Sequence, residues 1–154
     1  MEAAEHTSLR TKTFTYKTGT TWTDARAGTL SSEGKPTFRI SSPPEFKGER
    51  GVWTPEDLFV GAVEVCHMTT FLAFAAQRKI AILSYKSHAN GVLEFIDGDY
   101  RFTRIVIFPT IAVGNAVAEG EVHTLLREAE KHCLVANSIA AIVEVNPTII
   151  VQPE

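Results

Sequence analysis

Two cysteines, Cys66 and Cys133, are the only thiols in the 154-residue chain, and each has a histidine neighbour, His67 and His132. Such residues serve thiolate attack, metal ligation or the packing of a small apolar side chain. Adjacent helical residues point about 100° apart, so neither Cys-His pair converges on one ion. Neither helix offers ligands at i, i+3 or i, i+4, and no metal site is expected. Cys66 lies mid-helix and shares a face with Phe59, Ala62, Val63, Thr70 and Ala73. No helix N-terminus is there to lower its pKa, so activation must come from another segment, most simply an arginine. Cys133 extends the apolar stripe Val122, Leu125, Leu126 and Ala129 at i+4, and therefore points inward. On these grounds reactive thiols and packed, inert thiols both stay open.

Two carboxylates bear on the choice. Glu64 interrupts a nearly all-apolar helix and is expected to pair with His67 at i+3. Glu56 stands in the first turn of the same helix, where the dipole favours its charge. It precedes Cys66 by ten residues, about 15 Å of helical rise. A site that uses both needs a bend near Gly61, or Glu56 serves a partner subunit.

The elements that position these residues follow from local chemistry. Thr54-Pro55-Glu56-Asp57 reads as a helix start, and Gln77-Arg78-Lys79 as its end. From Leu58 to Ala76 that helix is apolar on most sides, which predicts a central, buried helix. Leu9–Lys17 and Pro36–Ser41 read as strands, Thr21–Gly34 carries strand-like stretches around a turn at Ser32-Glu33-Gly34, and Pro43–Gly51 reads as a loop. Residues 1–8 are expected to fray. Two strands flank Asp97-Gly98, with a bulge expected in the second. An amphipathic helix leads to Cys133, a short helix is expected in Ala136–Val143, and Val143–Gln152 closes as a strand. The order describes a single α+β domain over 1–154.

Composition sets bounds. At 44% apolar and 21% charged, the chain is ordinary for a globular protein. A net charge of −3 gives no electrostatic reason to expect nucleic acid or an acidic membrane as partner. No apolar run of membrane-spanning length and no secretory pattern is read, so a cytoplasmic protein is expected, where permanent disulfides are rare.

The stretch SSPPEFKGERGVWTPEDLFVGAVEVCHMTTFLAFA resembles the core of the OsmC/Ohr family of thiol-dependent peroxidases. EAEKHCLVANSIAAIVEVNPTI resembles that family's second-cysteine segment, and DGDYRFTRIVIFPTIAV its strand pair. The resemblance implies an OsmC-like α+β fold, antiparallel sheets packed on two long helices in an intertwined homodimer. It implies that Cys66 attacks an organic hydroperoxide and that Cys133 resolves the sulfenic acid into a disulfide. A dithiol reductant, lipoyl-type or another thiol, then reopens it, with no cofactor. Glu56 would pair with an arginine that stabilises the thiolate. Arg26 takes that place, with Arg39 and Arg50 as alternatives. Phe46, Trp53 and Phe59 are expected to line the substrate site, with Phe71 and Phe74 as further candidates. Leu134 stands where the family usually has proline. The alternative is a small-ligand binding protein of the same fold, with inert buried thiols.

Overall fold

The structure, a computed structural model, describes residues 12–153. It divides into two compact units, Met1–Thr54 and Pro55–Glu154.

In the first unit, β1 (Gly19–Asp24), β2 (Ala27–Ser31) and β3 (Phe38–Ser41) form a three-stranded antiparallel sheet in the order β1-β2-β3. Two turns join the strands. The first, at Ala25-Arg26, is held by Trp22 Nε1 donating to the Ala25 carbonyl at 3.0 Å. The second covers Ser32–Gly34, as expected. Lys12–Lys17 form no strand, correcting the expected strand at Leu9–Lys17, whose first three residues lie outside the described ones. Alternation of side chains supplies no hydrogen-bond ladder, and Lys12–Lys17 pair with none. The fraying expected of residues 1–8 also lies outside the described residues. The Pro43–Gly51 loop turns through a short 3₁₀ segment, Pro44–Phe46. Gly48 is obligatory there: a Cβ would stand 1.4 Å from the Ser42 carbonyl oxygen.

The second unit begins with α1 (Pro55–Gln77), which runs unbroken through Gly61. β4 (Ile82–Ile96) and β5 (Asp99–Gly114) form the long antiparallel hairpin. Its turn residues Asp97 and Gly98 both have positive φ, 53° and 83°, as a tight Asp-Gly turn requires. The expected bulge is at Thr103: Val92 pairs with Arg104 and Leu93 with Phe102, leaving Thr103 without an opposite. α2 (Glu119–His132) then crosses over to β6 (Ile142–Val145) and β7 (Thr148–Gln152). Both run parallel to β5, at successive stretches of its second edge. The fold class is therefore α+β as expected, with a mixed sheet in place of a purely antiparallel one. The predicted strand Val143–Gln152 becomes two strands. Pro147, with no N–H for the ladder, separates them. The short helix expected from Ala136 is a single 3₁₀ turn, Ala136–Ser138.

The helices cover one face of this sheet. Val63 packs with Ile105 and Ile107, and Phe71 and Ala75 pack with Ile111, Val113, Val122, Leu125, Leu126 and Ala129. Gly91 permits the close crossing of α1: a Cβ would stand 2.4 Å from Val60 and 2.9 Å from Phe102. The sequence predicts a helix buried on most sides, but only Val63, His67, Phe71 and Ala75 are buried. Val65 is 54% and Leu72 36% exposed on the opposite face. Within its own unit α1 has one sheet and one neighbouring helix to pack on, which cover one stripe. By length and mean hydropathy, 1.7, α1 would also suffice to cross a membrane, although Glu64 and His67 interrupt its apolar run. Its inward stripe is instead spent on this unit's own sheet.

Candidate active site

Cys66 and Cys133 meet. α1 carries Cys66 on a half-buried flank, and the turn after α2 carries Cys133 inward, 99% buried. Their thiols are close enough for Cys66 to perturb Cys133, and both are free. Burial pushes the Cys133 thiol up, the backbone N–H of Ala136 draws it down, and the neighbouring Cys66 adds to the rise. The Cys66 carbonyl accepts from Thr70 Oγ1 at 2.8 Å and Thr69 Oγ1 at 3.1 Å, both on its own helix. Contact of two thiols of unequal access permits one reaction in particular: oxidation of the accessible sulfur and closure by the buried one.

The neighbouring groups divide differently from the sequence expectation. His67 does not pair with Glu64. It is 1% exposed, and neither ring nitrogen has a hydrogen bond of good geometry. The Leu126 backbone is near enough to draw its pKa up slightly, but burial dominates and pushes it down. Glu64 instead accepts from Ser87 Oγ at 2.5 Å across to β4. The hydroxyl of Tyr85, beside this pair, is pushed up to about 12, first by burial. The reason is angular: His67 points into the core stripe, while Glu64 turns toward the strand. Sequence reasoning missed Ser87, and no local signal in β4 marks it. Among the described residues, no three His, Cys, Asp or Glu side chains gather as a metal-binding set.

Glu56 lies in the first turn of α1, with Oε2 buried and unpartnered. Because α1 is unbroken, the axial rise of about 15 Å between Glu56 and Cys66 stands. Phe59 stacks on Phe102 with ring centroids 4.7 Å apart, and Phe71 is fully buried in the core, which removes Phe71 from the candidate substrate lining. Phe74 is half-buried and edge-on to His132.

Within the first unit, Arg26 projects from the β1–β2 turn and donates through Nη1 to the Phe46 carbonyl at 2.7 Å. No carboxylate pairs with Arg26 among the described residues. Arg39 differs, being held by Glu49 at 2.6 Å and Asp24 at 3.2 Å. Arg50 is exposed in a turn, and Trp53, 58% exposed, bridges by its backbone to Ile40.

The sequence pattern of the OsmC-like protein family matches residues 48–148, a span holding both cysteines and both helices. The chain belongs to the OsmC-like family. The Bacillus subtilis (strain 168) uncharacterized protein YmaD is 23% identical over 120 residues, 76% of this chain and 79% of its own length. An OsmC-like protein of unknown function from Vibrio cholerae superposes with a TM-score of 0.81 at 23% identity, covering 88% of this chain and 99% of its own. A Legionella pneumophila structure described as an organic hydroperoxide resistance protein, OsmC, gives 0.71 at 19% identity, covering 91% and 99%. At these identities the likenesses establish the OsmC-like fold.

Proposed function

We propose that this OsmC-like protein is a thiol-dependent peroxidase that reduces organic hydroperoxides. The contact of Cys66 with Cys133 carries the proposal. Cys66, the accessible thiol, attacks the O–O bond as thiolate. The alcohol leaves, and Cys66 becomes a sulfenic acid. Cys133 then displaces hydroxide, which leaves as water, and an external dithiol of lipoyl or similar type reopens the disulfide. The description of the Legionella relative as a hydroperoxide resistance protein agrees with this chemistry.

Activation is assigned to Arg26, supported by Glu56. Arg26 is engaged by a backbone carbonyl and no carboxylate among the described residues, and Glu56 has a buried oxygen without a partner. The rise between Glu56 and Cys66 favours a homodimer in which each copy's Glu56 serves the other's site. The apolar face of α1 bearing Val65 and Leu72 supports such a pairing. Phe46, Trp53 and Phe59 remain the proposed substrate lining, with the chain acting as one domain in the reducing cytoplasm.

The deciding experiment is mass spectrometry of the native protein after one equivalent of an aryl-alkyl hydroperoxide. The expected product has lost two hydrogens and carries a Cys66–Cys133 disulfide. Two unmodified thiols after the peroxide has been offered would favour the ligand-binding alternative.

A further inference from the structure

The turn that follows α2 is built around a sulfur atom. Cys133 closes the helix with extended backbone (φ −68°, ψ 101°), and Val135 returns to helical values (φ −69°, ψ −46°). This reversal lays the backbone of Val135 and Ala136 beside Cys133, where their amides partly offset the rise that burial gives its thiol.

Nothing in the backbone chemistry of Leu134 or Val135 fixes this turn, since neither is proline or glycine. Side chains fix it. Asn137 Nδ2 donates to the Lys131 carbonyl at 2.9 Å, capping an open carbonyl in the last turn of α2. The Asn137 backbone N–H donates to the Cys133 carbonyl at 3.0 Å. Ser138 Oγ donates to the Leu134 carbonyl at 2.7 Å. Asn137 thus ties both ends of the turn that holds the sulfur, while its own side chain lies exposed and touches neither thiol.

We propose that Asn137 is a positioning residue for disulfide closure, holding the Cys133–Ser138 turn so that Cys133 Sγ is presented to Cys66. The role rests on the proposed thiol chemistry. Cys133 thiolate attacks the Cys66 sulfur, the S–S bond forms and the S–O bond breaks. Cys66 is reduced from sulfenic acid, Cys133 is oxidised from thiolate, and the departing hydroxide takes a proton to become water. Only the second step needs the turn.

The test is rapid mixing of the reduced protein with an organic hydroperoxide, following sulfenic-acid formation and disulfide closure as separate phases. Asn137→Ala should leave the first phase within about twofold and slow closure about tenfold, the loss expected for one ordering hydrogen bond. Asn137→Gln, which keeps the donor, should recover part of the rate. If Asn137→Ala does not fold, Ser138→Ala is read instead, with a smaller slowing confined to the same phase. Equal slowing of both phases, or closure at the wild-type rate, overturns the role. Closure driven by diamide reads the same turn without peroxide. A wild-type protein inert to peroxide whose diamide closure still depends on Asn137 refutes the peroxidase and keeps the positioning role.

Discussion

Cys66 and Cys133 are neighbours, yet their surroundings are of opposite kinds. Cys66 sits mid-helix on a half-buried flank of α1, where every nearby amide is committed to the helix. Cys133 sits beyond the last residue of α2, buried, with the backbone of the following turn beside it. Under the proposed chemistry access separates the roles, since a peroxide would reach the thiol that solvent reaches. Amide supply separates them again. The buried sulfur receives its help from its own turn, and Cys66 must receive its own from outside α1. The sharpest way to break this comparison is to remove each sulfur in turn. Cys66→Ser should reduce peroxide consumption by roughly 10³-fold or more in kcat/KM. Cys133→Ser should keep one stoichiometric burst and accumulate a sulfenic acid that dimedone traps. Equal loss in both variants would show that the two thiols do not divide the work.

A second contrast lies beneath and beyond Cys133. Leu125, fully buried among Phe71, Val122 and Ala129, anchors the middle of α2 in the core, whereas Leu134 is 69% exposed one residue past the cysteine. Leu125→Ala should cost about 3 kcal/mol through the cavity it leaves. Leu134→Ala should stay within about 0.5 kcal/mol. Urea midpoints measure both. Under the proposed chemistry the Leu125 variant should also slow disulfide closure more than peroxide attack, because it loosens the helix that carries Cys133 at its end.

What the sequence disclosed and what it hid follow the range of the interactions. The Asp97-Gly98 hairpin and the inward stripe of α2 with Cys133 were legible, since each depends on residues within two turns of chain. The uneven burial of α1 was not. Val63 and Val65 are the same residue type, and only the position of the sheet makes one buried and the other exposed. The Ser87 partner of Glu64 depends on the register of β4 against α1, which no pattern within either element encodes. The meeting of Cys66 with Cys133 entered as an implication of resemblance, because it depends on where a turn lands after a crossover. The parallel course of β6 and β7 is non-local in the same way.

His67 gives the smallest effect and contrasts with Cys66 beside it. Rotated about 100° from the thiol, it enters the core and finds no hydrogen-bond partner of good geometry. Its pKa is held below the ordinary imidazole value by burial, with only the Leu126 backbone opposing. The unfolded chain, titrating near pH 6.5, binds a proton that the folded chain refuses. The stability associated with neutral His67 is therefore fully present above about pH 6.5 and is lost as pH falls below it toward the depressed folded value. The slope from this group cannot exceed about 1.4 kcal/mol per pH unit. His67→Met, similar in volume and without a proton to gain, should raise stability at neutral pH by about 1 kcal/mol and flatten the profile between about pH 5 and 7. Urea unfolding of both proteins across that range supplies the comparison. An acid slope that survives in His67→Met would assign it to other groups and leave the buried imidazole as inert packing.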